Sequence, residues 1–179
     1  MDVMSTTFLP VLVSLDELDP QDEEDIVLDE FLGGLAVGYA SGPPYQGLVT
    51  WRDLRQIRLH PHDLRRYAFE SLTKWTAEVQ VDGRPPVLMV SFGGWESSAV
   101  LLDEFWERMA AQVPGELVIG VPARDVVMVT GSGSPLGVEK VRRAVDRMFF
   151  AGSRGLLSRD LLVWRRGWEI WRHYPPHPH

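Results

Sequence analysis

This 179-residue sequence contains no cysteine, which excludes disulfides, thiolate metal sites and thiol nucleophiles. It also lacks a long apolar run, because none of its apolar stretches approaches the roughly 20 consecutive residues that a membrane-spanning helix needs. The opening stretch MDVMSTTFLPVLVSLDELD has no basic residue before its short apolar run, unlike a secretory signal. These absences predict a soluble protein with no membrane association, and the missing cysteine favours the reducing cytoplasm.

Basic side chains are missing from residues 1–51, which carry ten acidic residues and no lysine or arginine. The formal net charge of −7 therefore arises at the start of the chain. An acid-rich segment buries too little apolar surface to offset its ordering entropy, so residues 1–30 are expected to form an acidic, partly disordered N-terminal arm. Residues 1–25 would then be dispensable for folding, unless FLPVLVSL is a core strand.

The acidic arm has two interpretations. It is either a solvated surface segment or a docking arm for a basic partner. The candidate docking residues are Asp22, Glu23, Glu24 and Asp25.

The folded domain is expected to span residues 31–172, with residues 173–179 as a tail rich in proline and histidine. Thr50, followed three positions later by Asp53, predicts a capped helix start, and Pro61 suits the first position of the next helix. The clearest amphipathic helix follows GSGSP, where apolar residues recur on one helical face. These are Val138, Val141, Val145, Met148 and Phe149.

Strand-like runs come in pairs joined by short turns. ELVIGV and DVVMVT are separated only by PAR, and LLVWRR and WEIWRH flank Gly167, so each pair predicts an antiparallel hairpin. AEVQVDGRPPVLMVSF predicts another hairpin, turning at Asp82-Gly83. Hairpins interleaved with single helices predict a single-domain α+β fold, in which a mostly antiparallel sheet carries three to four helices on one face.

The glycine-rich stretch GSGSPLG is a candidate nucleotide-binding loop. Its glycines, at 131, 133 and 137, miss the G-x-G-x-x-G spacing by one residue, and no Lys-Ser or Lys-Thr pair follows a glycine as a P-loop requires. The stretch instead has the chemistry of a strand-to-helix turn, with Ser134 as N-cap and Pro135 at the first helical position. No cofactor is therefore expected.

Catalytic and metal-binding patterns are weak. The sequence has no G-x-S-x-G elbow, and no carboxylate pair stands out. His60 and His62 are two residues apart, which does not place both on one face of a helix as a metal site would need. A hydrolase or ligand-binding site built from residues that converge only in space stays open as an alternative.

The case for nucleic-acid binding rests on arginine. Lys74 and Lys140 are the only lysines among the 18 basic residues. Arginines recur on the predicted helices, where they would face one phosphate backbone if the helices lie side by side. They are Arg52, Arg55, Arg58, Arg65, Arg66, Arg142, Arg143 and Arg147. Interspersed acids and a net acidic chain argue against this alternative.

The last hairpin is rich in tryptophan. Some of these rings must belong to the core, and strand alternation leaves one aromatic face for a protein partner. The candidate binding residues there are Trp168 and Trp171.

The chain resembles the YtpQ-like family of bacterial proteins of unknown function across residues 31–171. The resemblance rests on LAVGYA, LVTWRDL, LRRYAFESL, GGWESSAVLLDEFWE, ELVIGVPARDVVMVTGS and VEKVRRAVDRMFF, in that order. It implies a shared fold and supplies no catalytic residue. It draws attention to the VPARD turn, where Arg124 and Asp125 either stabilise the turn or receive a charged group of a partner.

The sequence as a whole favours a non-enzymatic, cytoplasmic protein-binding domain of a regulatory, assembly or immunity type.

Overall fold

The computed structural model describes residues 7–42, 46–153 and 155–172, so the tail at 173–179 lies outside the described residues. The strands are β1 (Phe8–Ser14), β2 (Asp29–Glu30), β3 (Leu35–Ser41), β4 (Gln80–Arg84), β5 (Val87–Ser91), β6 (Leu117–Ala123), β7 (Val126–Gly131), β8 (Leu161–Trp164) and β9 (Trp168–Ile170). The helices are α1 (Pro20–Asp25), α2 (Trp51–Ile57), α3 (Pro61–Lys74), α4 (Asp103–Ala110) and α5 (Pro135–Phe150), with 3-10 turns at Leu15–Glu17, Thr76–Glu78 and Glu96–Leu101.

Two antiparallel sheets organise these elements. The small sheet has the order β1-β3-β2, and the large sheet has the order β4-β5-β7-β6-β8-β9. Neighbouring strands pair antiparallel in both sheets. The predicted α+β class is therefore confirmed.

The large sheet is apolar on both faces, so helices cover both. Ile119, Val129 and Leu162 face the main core, which also takes side chains from β1, α3 and α4. Their neighbours on the strands point the other way and pack against Val141 and Val145 of α5. The expectation that all helices lie on one face is thus wrong, because strands with apolar residues at successive positions must be covered on both sides.

Strand β1 corrects the expected domain boundary at residue 31. All seven of its residues are buried, and it pairs with β3 from Phe8↔Ser41 to Ser14↔Leu35. Leu9 and Leu12 are core residues of the main cluster. FLPVLVS is therefore a core strand and belongs to the folded domain. Pro10 is tolerated because β1 is an edge strand of its sheet, where a missing backbone donor leaves no ladder bond unmade.

The turn between β4 and β5 also differs from the prediction. Arg84 pairs with Val87, so Pro85-Pro86 forms the turn, and Asp82-Gly83 lies inside β4. Gly83 has φ +110°, a conformation that glycine adopts without strain. Local turn preference favoured the Asp-Gly pair, but proline supplies no backbone N–H for the ladder and was therefore better placed at the turn.

Helix starts follow the sequence closely. Thr50 and Asp53 form a capping box at α2, and the Ser134 hydroxyl accepts from the Gly137 N–H at the start of α5. At α4 the N-cap is Leu102, and Asp103 is the first helical residue. None of the helices in the described ranges is long and apolar enough to cross a lipid bilayer.

Candidate functional site

Arg124 and Asp125 form the tip of the β6–β7 hairpin, and both side chains are exposed. Backbone hydrogen bonds hold the tip in place from two sides. The Ser97 N–H donates to the Arg124 carbonyl at 2.9 Å, and the Arg124 N–H donates to the Gly155 carbonyl at 3.3 Å. The backbone of the tip is therefore tied to two other segments of the chain. The tip carries the two charged side chains that the sequence singled out.

A cleft of about 340 Å³ lies beside this tip. We call it the hairpin-tip cleft. Its other walls come from residues 11–14 of β1, from Glu17 and Leu18, from Leu48, and from residues 155–157. The site is thus assembled from four separated parts of the chain.

The floor of the hairpin-tip cleft is apolar. Val11 and Val13 point away from the main core and pack with Ala40 on the outer face of the small sheet. Leu18 and Leu48 are half-buried against them. Val11 and Val13 are themselves buried, so the surface that can accept an apolar side chain from outside is that of Leu18 and Leu48.

The rim of the cleft is charged. Glu17 and Asp125 are exposed there together with Arg124. From Glu17 the chain continues through Asp19 into α1, and we call residues 16–25 the acidic segment. All four candidate docking residues of α1 are exposed, and seven acids occur in this segment without one basic residue. The structure thus places the acidic segment directly next to the cleft along the chain.

Two further hollows border the acidic segment. Glu23 lines one of about 470 Å³ together with Leu15, Phe31 and Trp51. Glu24 and Asp25 line another of about 510 Å³, whose opposite wall includes Arg52 and Arg55 of α2. Three of the four acids of α1 therefore line grooves on the surface.

Asp29 anchors the chain that follows the acidic segment. Its carboxylate accepts a hydrogen bond from the Tyr39 hydroxyl of β3 and one from Arg65 Nε of α3 at 2.8 Å. Burial acts to raise the pKa of Asp29, but the hydrogen bonds from Arg65 and Tyr39 outweigh it and hold that pKa below its ordinary value of 3.8. Burial, reinforced by the Asp29 carboxylate, raises the pKa of Tyr39. These two hydrogen bonds connect β2 to β3 and to α3.

The structure places Trp168 and Trp171 away from the hairpin-tip cleft. The Trp168 indole donates to the Val100 carbonyl at 2.8 Å, and its ring makes edge contacts with Trp106 and Trp164. Trp171 is half-buried and packs against the cluster under α5. Both rings are engaged in the fold, in contrast to the exposed aromatic face expected of this hairpin.

The arginine-rich helices do not form one surface. α3 packs over the small sheet on the main-core side, whereas α5 lies on the opposite face of the large sheet. Several of their arginines are also paired with acids: Arg65 with Asp29, Arg66 with Asp63 and Arg143 with Glu139. The single phosphate-binding face required by the nucleic-acid alternative is therefore not assembled from these two helices.

The described residues give little geometric evidence for catalysis or metal binding. Asp103 and Glu107 line a surface hollow on α4, where burial and then the Glu107 charge raise the pKa of Asp103. Glu107 accepts from the Trp164 indole at 3.0 Å, which gives it a structural role. His60 caps α3 by accepting from the His62 N–H. Within the described ranges, no group of three or more metal-ligating side chains could hold an ion.

Sequence reasoning missed most of the cleft. Leu18, Leu48 and Leu156 line it, yet each lies in a segment without regular alternation. The one available signal was the apolar run of β1, whose Val11 and Val13 alternate with Leu12 and so predict a strand with two apolar faces.

Comparison with protein-family models, with curated proteins and with solved structures found no significant match to this chain. The resemblance to the YtpQ-like family therefore stays a prediction.

Proposed function

We propose that this protein is a non-enzymatic, cytoplasmic binding domain that recognises a basic protein partner through the hairpin-tip cleft and the acidic segment. The observation that carries the proposal is the continuity of the two: an apolar floor, a rim on which Glu17 and Asp125 outnumber Arg124, and a run of exposed acids that begins at the same rim. Regulation, assembly and inhibition of an immunity type all use binding of this kind.

The two parts of the surface contribute differently to binding. Burying one leucine-sized side chain of a partner on the floor stabilises a complex by about 1.5–3 kcal/mol. The exposed acids add little to affinity individually, because water and salt screen them. Their summed field instead attracts a basic partner and raises the association rate.

Affinity capture with the tagged full-length protein, from cells that produce it, tests the proposal. Asp125→Arg reverses the charge at the cleft rim, and Asp82→Arg makes the same change on exposed strand β4 as a matched control. We expect wild type and Asp82→Arg to retain one basic protein, and Asp125→Arg to retain about threefold less, because a single exposed charge contributes little on its own. Equal retention by both variants, or no retained basic protein, would contradict the proposal.

A further inference from the structure

A further pocket lies at the C-terminal end of α3, and none of its lining residues lines the hairpin-tip cleft. Its volume is about 500 Å³. It is lined by Lys74, Trp75, Glu78, Phe92, Gly93 and Trp95. Two chain segments build it: the end of α3 with the following 3-10 turn, and the loop after β5.

Aromatic rings form the walls of this pocket. Trp75 and Phe92 meet edge to face, with centroids 6.5 Å apart and planes at 90°. Phe92 is buried, while Trp75 and Trp95 are half-buried and pack on the main core. Each tryptophan is therefore anchored on one side and keeps part of its surface open to solvent.

Backbone geometry holds the walls in position. The Glu78 N–H donates to the Trp75 carbonyl, and the Trp95 N–H donates to the Phe92 carbonyl, each at 2.9 Å. Gly93 and Gly94 have φ +59° and +90°, and a Cβ added at either would meet no atom within 4 Å. The left-handed conformations of these two glycines turn the loop so that Trp95 packs on the core. The space beside the two glycines is open.

One positively charged and one negatively charged side chain line the pocket. Lys74 and Glu78 are both exposed, and in the described part of the chain neither forms an ion pair. Aromatic faces attract organic cations, and a carboxylate beside them strengthens that attraction. Lys74 would repel a simple cation but would attract an acidic group on the same ligand.

We propose that this pocket binds a small zwitterion, with an alkylated ammonium group against Trp75, Trp95 and Glu78 and an acidic group at Lys74. This arrangement gives each lining charge a partner of opposite sign. It also matches the apolar surface of alkyl groups to the aromatic walls, which a bare ammonium would not do. The pocket and the hairpin-tip cleft share no lining residue, although Trp95 also packs against the Val11, Val13 and Ala40 cluster beneath the cleft.

Titration of the ¹⁵N-labelled full-length protein with three probes tests this site. Glycine betaine carries both charges, choline carries only the quaternary ammonium, and 3,3-dimethylbutan-1-ol is the uncharged isostere of choline. We expect the indole N–H signals of Trp75 and Trp95 to shift with betaine, at least threefold more weakly with choline, and not with the alcohol. No saturable shift with betaine, or equal binding of the alcohol and choline, would overturn the proposal.

Two surface variants separate the roles of the charges without disturbing the aromatic walls. Glu78→Gln should weaken both betaine and choline at least threefold. Lys74→Gln should weaken betaine and strengthen choline, and Glu104→Gln on α4 should change neither. If Lys74→Gln strengthens betaine, or if Glu78→Gln and Glu104→Gln behave alike, the pocket does not recognise a zwitterion.

Discussion

Asp29 joins three elements through one carboxylate, since Tyr39 of β3 and Arg65 of α3 both donate to it. Its side chain and that of Arg65 are about one-third exposed, at 32% and 38%, so the ion pair is partly screened by solvent. The hydrogen bond from Tyr39, which is 1% exposed, reaches the same partly buried carboxylate. We therefore attribute most of the stabilisation to the hydrogen bonds made to a charged acceptor.

Replacing Asp29 with Asn should lower the free energy of unfolding at neutral pH by about 1.5–3 kcal/mol, the range for hydrogen bonds to charged groups. The pKa of Asp29 is lowered in the folded state, so its contribution is fully present above the ordinary value of 3.8 and is lost as pH falls through the lower folded pKa. The difference between wild type and Asp29→Asn should therefore shrink in acid.

Urea unfolding at neutral pH and at several acidic pH values measures this effect. Asp22→Asn, an exposed acid of α1, serves as the control and should leave the unfolding free energy nearly unchanged. A difference between wild type and Asp29→Asn that persists undiminished below the folded pKa would show that the carboxylate charge is not the cause.

Trp168 illustrates why a surplus of aromatics does not by itself mark a binding surface. Its ring lies between Trp106 and Trp164, and its N–H satisfies the Val100 carbonyl of a 3-10 turn. A tryptophan placed in this way joins the last hairpin to the core. Its replacement by alanine would disturb folding before it reported on binding.

Strand β1 contributes a whole apolar strand to the core, although it directly precedes the acidic segment. Leu12 is 3% exposed, so Leu12→Ala should lower the free energy of unfolding by about 2–5 kcal/mol. Neutralising Asp22, Glu23, Glu24 and Asp25 together should change it by less than about 1 kcal/mol, because these side chains are exposed. Thermal and urea unfolding of both variants checks the contrast.

A Leu12→Ala protein as stable as wild type would mean that β1 adds little to the core. A large loss on neutralising the four acids would instead show that α1 itself supports the fold. The two outcomes separate the role of the strand from that of the acidic segment.

The sequence predicts best where local signals agree. β6 and β7 are continuous apolar runs around a short turn, and α5 combines a serine cap, an early proline and a regular apolar face. Periodicity, capping and turn chemistry point to the same element in each case, so both were predicted correctly.

Elements whose position depends on tertiary contacts were predicted poorly. β1 was assigned to an arm because the acids after it dominate the composition of residues 1–30, whereas its burial depends on pairing with β3. The face taken by α5 follows from which side of the large sheet the other elements already cover. The apolar run of β1 indicates a strand, but its pairing with β3 and the face taken by α5 depend on the rest of the fold.

The candidate site was predictable only at its tip. Arg124 and Asp125 were recognised because the turn between two apolar runs is visible in the sequence. Leu18, Leu48 and Leu156 come from parts of the chain far from that turn, and only the folded structure brings them together. The aromatic pocket of Trp75, Phe92 and Trp95 was missed for the same reason.

The acidic segment and the arginines of α5 lie apart in the fold, although Arg52 and Arg55 of α2 border the acidic segment itself. The acidic segment lies at the cleft, whereas the arginines of α5 lie on the opposite face of the large sheet from β1. The proposed basic partner would be drawn to the acidic segment. Because salt screens exposed charges over a Debye length of about 8 Å at physiological ionic strength, rising salt should slow association more than it speeds dissociation.

Photo-cross-linking tests the central claim most directly. A photoreactive amino acid would replace Glu17 at the cleft rim or, as the control, Lys140 on α5; both positions are exposed. We predict that position 17 forms a discrete adduct with a basic protein. The adduct should weaken as salt rises and when Asp22, Glu23, Glu24 and Asp25 are neutralised, and position 140 should form none. No adduct at position 17, or one equally strong at position 140 and indifferent to salt, would contradict binding at the hairpin-tip cleft.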